Sequence, residues 1–115
     1  MKYLLMIYAS EAEESKTPPA EMGKLMQAYG AYTEAQTKAG ALQASNRLRP
    51  VSDATSVKVR NGKTEVLNGP YAETREQLGG YYLIDAPDLD AALAWAARCP
   101  SSSYGTIEVR PIWEM

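Results

Sequence analysis

The sequence contains no histidine and a single cysteine, Cys99, among its 115 residues. Without histidine there is no Ser-His-Asp or Cys-His arrangement, no histidine metal ligand and no imidazole acid–base group. A single cysteine excludes an internal disulfide framework and a multi-cysteine zinc site. Cys99 comes late in a predicted helix, directly before Pro100, where a small buried thiol is expected. Chemistry would have to use carboxylates, tyrosine, lysine, arginine or backbone groups, and we expect no metal and no cofactor.

Long apolar runs and blocks of like charge are also absent. No apolar run approaches the roughly 18 residues that a membrane-spanning helix needs, and residues 3–9 are too few for a signal peptide. The 12 basic and 14 acidic residues are scattered, giving a net charge of −2. This distribution argues against a nucleic acid or a membrane as partner. We therefore expect a cytoplasmic protein with one domain, residues 1–115.

Two segments are apolar on both alternating faces, residues 2–9 and residues 81–84. Strands of this kind are expected to be covered on both sides. Further strands are predicted at residues 41–49, 55–60, 63–67 and 105–113. The second and third of these flank Asn61-Gly62, which predicts a hairpin with a type I′ turn because that turn needs φ > 0 at both central positions. Pro111 indicates that the last strand lies at an edge or bulge.

Two amphipathic helices are predicted. The first follows Pro18-Pro19 and ends at Gly40, and the second follows Asp88 and ends at Pro100. The apolar stripe of the first comprises Met22, Leu25, Met26, Tyr29, Tyr32 and Gln36. The buried side of the second comprises Leu89, Ala92, Leu93, Trp95, Ala96 and Cys99. We interpret both stripes as core faces rather than as parts of a ligand pocket.

Without the hairpin, the order of elements is the βαββαβ plan of ferredoxin-like α+β folds, with an antiparallel sheet and both helices on one face. Residues 10–17 and 101–103 are predicted to be loops. The other sheet face would expose an apolar patch larger than the few hundred Å² usual for a monomer. A second copy would cover it with about 800 Å² per partner. We predict a symmetric homodimer; the alternative is a monomer whose open face is covered by residues 52–77.

Residues 68–86 read NGPYAETREQLGGYYLIDA, a turn and a charged loop leading into a two-sided strand. This segment resembles the signature of the YCII-related proteins, in the branch called DGPF, which is similar to D-G-P-F-x-E-x-K-E-x-L-G-G-F/Y. The residues that match are Asn68-Gly69-Pro70-Tyr71, Glu73, Arg75, Glu76, Leu78 and Gly79-Gly80-Tyr81. The match extends to both ends of the chain. The resemblance implies a ferredoxin-like fold that pairs into a dimeric α/β barrel.

The resemblance also implies a His-Asp acid–base pair, with the Asp in the D-G-P segment. Here Asn68 stands at that position, and an amide cannot accept a proton at neutral pH. The histidine has no counterpart in the chain. Glu73 is the remaining candidate base, provided that burial raises its pKa towards neutrality. Members of this branch are often encoded beside extracytoplasmic-function sigma factors, which implies a regulatory role.

The loop of residues 68–77 is the first place to look for a site, because binding residues concentrate on loops held by a rigid scaffold. The residues predicted to bind a ligand are Arg47, Tyr71, Glu73, Arg75, Glu76, Tyr81 and Arg110. Arg47, with Arg49, ends a strand and could hold a carboxylate or phosphate bidentately. Arg110 shares one strand face with Glu108. The alternative for all the charged groups is a solvated surface with local ion pairs.

Three functions stay open. The first is a protein that binds a small polar or aromatic molecule in a cleft of the dimer, with a regulatory role. The second is a cofactor-independent enzyme of the lyase, isomerase or dehalogenase type. The third is a structural dimer or a protein-interaction module. The absence of histidine and the presence of Asn68 favour the first over the second.

Overall fold

The computed structural model describes residues 1–114. The main elements, in chain order, are β1 (Lys2–Ala9), α1 (Glu11–Glu14), α2 (Pro19–Lys38), β2 (Leu42–Arg47), β3 (Thr55–Arg60), β4 (Lys63–Asn68), β5 (Gln77–Asp85), α3 (Leu89–Arg98) and β6 (Thr106–Pro111). Short 3₁₀ turns lie at Val51–Asp53 and Pro100–Ser103.

Four strands form one antiparallel sheet in the order β2-β5-β1-β6, and β3 and β4 form a separate hairpin. Without the hairpin, the chain follows the βαββαβ plan, so the predicted ferredoxin-like α+β fold is confirmed. The two strands predicted to be apolar on both faces, β1 and β5, occupy the centre of the sheet. The proline-containing strand β6 lies at an edge, as predicted.

One face of the sheet packs against the helices. Alternation along β1 buries Tyr3, Leu5 and Ile7 on this inner face, in one cluster with Tyr82 of β5 and Tyr32 of α2. The Tyr32 and Tyr82 rings meet edge to face, with centroids 5.1 Å apart. The Tyr32 hydroxyl also donates to the main-chain carbonyl of Trp95 on α3, at 2.7 Å. This phenol therefore joins both helices to the sheet.

The opposite face of the sheet is the open face. Its apolar side chains are Leu4, Met6, Tyr8, Leu78, Tyr81 and Leu83. Leu4 lies directly opposite Leu83, and Met6 lies opposite Tyr81. These side chains are half-buried by one another, and none of them belongs to the buried core cluster. The open face therefore lacks the full burial that the helices give to the inner face.

Three local predictions were wrong. Residues 10–17 contain the helix α1, which the Ser10 hydroxyl caps by accepting a hydrogen bond from the Glu13 amide at 3.2 Å. Residues 101–103 form a 3₁₀ turn rather than an irregular loop. Strand β5 begins four residues before Tyr81, because its first residues already pair with the end of β1.

Three apolar side chains predicted to be buried are exposed. Leu89 and Leu93 of α3 face outwards, because α3 approaches the sheet closely through Ala92 and Ala96. Met26 of α2, predicted on its core face, is also exposed. Trp113, which follows the end of β6, is exposed as well.

The two neighbouring glycines of β5 differ in their surroundings. Gly80 lies between β1 and β2, and a Cβ atom there would stand 2.9 Å from the carbonyl oxygen of Asn46. Gly79 is the extra residue of a bulge, since the register passes from the pair Ile7–Gly80 to the pair Tyr8–Leu78. A Cβ at Gly79 would meet only the Ile7 carbonyl oxygen, at 4.0 Å.

We expect Gly80→Ala to lower the free energy of unfolding by about 1–3 kcal/mol, because the added methyl overpacks against a backbone carbonyl that cannot move alone. Gly79→Ala is the matched control and should change that free energy by less than about 1 kcal/mol. Urea denaturation of both variants measures the difference. Equal losses in the two variants would show that the Asn46 contact is not what requires a glycine.

Helix α2 buries one polar side chain, that of Gln36. Neither its carbonyl oxygen nor its amide nitrogen has a hydrogen-bond partner among residues 1–114. The Tyr32 hydroxyl, one helical turn away from Gln36, donates its proton to the Trp95 carbonyl oxygen and not to the Gln36 side chain. Leaving a buried polar group unpaired costs about 1–3 kcal/mol. The apolar stripe of α2 therefore contains one destabilising position.

We expect Gln36→Met to raise the free energy of unfolding by about 1 kcal/mol or more, because methionine has a similar length and no unpaired polar atoms. Gln27→Met, at an exposed position of the same helix, should change it by less than about 0.5 kcal/mol. Thermal and urea denaturation test both variants. A loss of stability in Gln36→Met would mean that the amide is paired in solution.

Candidate functional site

Polar side chains collect at one end of the sheet. The C-terminal end of β1 lies beside the N-terminal ends of β5 and β6, since Ala9 pairs with Gln77 and Tyr8 pairs with Thr106. The Glu11 amide, at the start of α1, donates to the Gln77 side-chain oxygen at 2.9 Å. The Glu11 carboxylate accepts from the Val51 amide at 3.1 Å. These contacts fix α1 and the segment after β2 at the same end.

Two adjoining open grooves lie at this sheet end. The larger groove, of about 980 Å³, lies between α1, α2 and the turn that follows α3. The smaller groove, of about 630 Å³, lies between α1 and the loop that precedes β5. Ser10, Glu13 and Tyr104 line both grooves. Both volumes lie in the range of small-molecule sites, and Tyr104 stands at the junction of the two grooves.

A chain of polar groups runs from this junction towards the core. The Tyr104 hydroxyl donates to a Glu14 carboxylate oxygen at 3.3 Å and lies 3.0 Å from the Ser101 hydroxyl. Ser101 in turn is hydrogen-bonded to the hydroxyl of Tyr29. The Tyr29 hydroxyl lies 3.5 Å from the Cys99 sulfur. Because each hydroxyl can donate and accept at once, these groups form one continuous chain, which we call the hydroxyl chain.

Burial keeps the hydroxyl chain protonated. Desolvation raises the pKa of Tyr29 far above its ordinary value. It also raises the pKa of Tyr104 and that of the Cys99 thiol. At neutral pH both phenols therefore keep their protons, and Cys99, which is 2% exposed, is a neutral thiol. This agrees with the prediction that Cys99 is a small buried thiol.

Two of the residues predicted from the motif line the smaller groove, Arg75 and Glu76. Glu76 accepts a hydrogen bond from the Thr106 hydroxyl at 2.8 Å, which ties the loop to the start of β6. Tyr71 is 91% exposed and Glu73 is also exposed, and neither lines either groove. In a single chain Glu73 thus lacks the burial that its proposed role requires, and that role stays a prediction.

Tyr81 and Arg110 lie away from the grooves, on the open face. The Asn46 side-chain amide donates to the Tyr81 hydroxyl at 2.8 Å. Arg110 forms an ion pair with Glu108 of the same strand, at 2.9 Å. Their predicted roles in ligand binding stay predictions, and both residues lie where a second copy would pack.

The arginines at the end of β2 do not converge with Arg75. The Arg47 guanidinium lies 3.8 Å from the Met26 sulfur. Arg49 pairs with Asp53 at 2.8 Å. Neither arginine lines a groove.

The sequence analysis missed Ser10, Glu14, Ser101 and Tyr104. None of them belongs to the motif, and none lies within a strand of the sheet. One signal could have found Ser10 and Tyr104. In the ferredoxin-like order, the end of the first strand lies beside the start of the last strand, so residues just outside those two points meet.

Among residues 1–114, no group of three or more acidic, cysteine or histidine side chains could hold a metal ion. No helix in this part of the chain is long and apolar enough to cross a membrane.

The fold and the grooves define a small α+β protein of the ferredoxin-like class with a polar site at one sheet end. The family model of the YCII-related domain matches residues 1–115. The chain is also 37% identical over 114 residues to Uncharacterized protein R00369 of Rhizobium meliloti (strain 1021). The aligned region covers 97% of this chain and 92% of the relative. The chain therefore belongs to the YCII-related family.

Proposed function

We propose that this YCII-related protein is a cytoplasmic protein that binds a small polar or aromatic molecule in the two grooves, with a regulatory role. The observation that carries this is the junction at Tyr104, where the motif residues Arg75 and Glu76 lie on one side and the hydroxyl chain on the other. The segment Asn68-Gly69-Pro70-Tyr71 supports membership of the DGPF branch.

The groups that line the grooves suit a ligand with both donors and acceptors. Hydrogen-bond acceptors on a ligand can reach the Arg75 guanidinium, and donors can reach the Tyr104 hydroxyl oxygen. Amino or hydroxyl donors can reach the carboxylates of Glu13 and Glu76. Leu25 and neighbouring alanines of α2 line the larger groove and provide an apolar wall for an aliphatic or aromatic body.

A thermal-shift screen with polar and aromatic metabolites tests this proposal, since a ligand at 100 times its Kd adds about 2.7 kcal/mol to stability. For a hit, we expect Tyr104→Phe and Arg75→Ala each to raise Kd by about tenfold, because each removes one hydrogen bond to the ligand. The matched controls are Tyr71→Phe and Arg49→Ala, outside both grooves. Hits whose affinity is unchanged in both groove variants would contradict this site.

The second candidate is a cofactor-independent enzyme of the lyase, isomerase or dehalogenase type, which the hydroxyl chain favours. Tyr104 could deliver a proton and Glu14, at 3.3 Å from it, could receive one. The same hits distinguish the two functions. If a hit is turned over, and Glu14→Gln abolishes turnover while Kd stays unchanged, the protein is an enzyme. If turnover is lost in Glu73→Gln instead, the general base is Glu73 of the motif loop.

We also propose a homodimer in which the open faces of two sheets pack together. Its support is the row of half-buried apolar side chains centred on Met6, which no described helix covers. The alternative, a face covered by residues 52–77, lacks support because the hairpin side chains are themselves exposed. An isologous contact between two such faces would be self-complementary.

Sedimentation equilibrium at micromolar concentration should show a dimer, and Met6→Glu should give a monomer, because the new carboxylate would be buried without a partner. Met26→Glu, an exposed methionine on α2, is the matched control and should leave the dimer intact. A monomeric wild-type protein would contradict the proposal.

A further inference from the structure

The β3–β4 hairpin is regular and complete. Its turn residues Asn61 and Gly62 have φ values of 53° and 75°, which confirms the predicted type I′ turn. Pairing runs without a break from Thr55–Asn68 to Arg60–Lys63. Six residues per strand give the hairpin a length of about 20 Å.

The two faces of the hairpin differ in chemistry. On one face Val57 lies opposite Val66 and Val59 lies opposite Thr64, and we call this the valine face; the polar Asn68 ends it, opposite Thr55. The opposite face carries the charged side chains, including the ion pair between Lys58 and Glu65 at 3.9 Å. The hairpin is therefore amphipathic, as a strand pair is when one face packs against another surface.

No part of residues 1–114 covers the valine face. Val57, Val59 and Val66 are 62%, 55% and 60% exposed. The chain has a radius of gyration of 16.1 Å, whereas a compact domain of this length has about 13 Å. An isolated two-stranded hairpin is marginally stable in water. The hairpin thus projects from the sheet with an apolar face that only another molecule can bury.

Buried area indicates that this other molecule is a second copy. The side chains of the open face are half-buried, so that face alone offers only a few hundred Å², less than the about 800 Å² per partner of an ordinary interface. The exposed valines add roughly 200–300 Å² of apolar surface. One partner that covers the open face and the valine face together comes closer to the usual area than either face does alone, and a two-fold axis lets each copy contribute both.

Charge points to the same partner. The hairpin, residues 55–68, contains three of the 12 basic residues and one of the 14 acidic ones, which leaves nine basic and thirteen acidic residues in the rest of the chain. A basic arm and an acidic body attract each other between copies of one chain. We propose that the β3–β4 hairpin is a dimerisation arm whose valine face packs against the second copy.

This inference rests in part on the proposed dimer, and the variants separate the two. Val57→Ser combined with Val66→Ser removes the central pair of the valine face, and we expect the dimer Kd to rise by about tenfold or more. Val59→Lys places a charge on the same face without touching that pair and should act in the same direction. Lys58→Ser combined with Glu65→Ser, on the opposite face and without change in net charge, is the matched control. Sedimentation equilibrium measures Kd, and circular dichroism verifies the fold of each variant.

Each pattern of results decides between the two proposals. If Met6→Glu gives monomers while both valine-face variants keep the wild-type Kd, the proposed dimerisation arm is contradicted and the dimer through the open faces is supported. If the valine-face variants dissociate while Met6→Glu stays dimeric, the dimerisation arm is supported and the contact between open faces is contradicted. An equal rise of the dimer Kd in the Lys58/Glu65 control would contradict the dimerisation arm, because the valine face would then not be the specific contact. A wild-type protein that is monomeric throughout overturns both.

Discussion

The architecture depends on two central strands, β1 and β5, that are apolar on both faces in a chain whose helices cover only one. The inner face is buried by α2 and α3, with Tyr32 in contact with the sheet and hydrogen-bonded to the other helix. The open face has only the mutual shielding of its own side chains. Because the hydrophobic effect acts on both faces alike, the apolar side chains of the open face are the basis of the proposed dimer.

The strand order places the functional features at one sheet end. Since β5 and β1 are antiparallel neighbours, the insertion between β2 and β5 leaves the sheet where β1 ends and where β6 begins. That insertion, residues 48–76, contains both the hairpin and the loop with Arg75 and Glu76. The same segment therefore supplies the exposed valine face and one wall of the smaller groove, so the proposed dimer contact and the proposed site are connected through the covalent chain.

The sequence predicted the features that depend on residues close to one another along the chain. Alternation in β1, the Asn61-Gly62 turn and the capping signals of α2 are local, and each was confirmed. The hydroxyl chain could not be predicted, because it joins Tyr29 to Ser101 across 72 positions and needs the packing of α2 against the turn after α3. Arg75 and Glu76 of the motif line the smaller groove, and their role in binding stays a prediction. The motif said nothing of the exposure of Tyr71, which depends on how the loop leaves the hairpin.

The site is better equipped to hold a ligand than to remove a proton from one. Asn68 lies in the strand ladder of the hairpin, opposite Thr55, where its amide has no acid–base capacity. Two of the groove carboxylates are already engaged, Glu14 by the Tyr104 hydroxyl and Glu76 by the Thr106 hydroxyl. A carboxylate that accepts such a hydrogen bond is held in one orientation. Groups fixed in this way recognise the donors of a bound molecule, which favours binding over turnover as the main activity of this site.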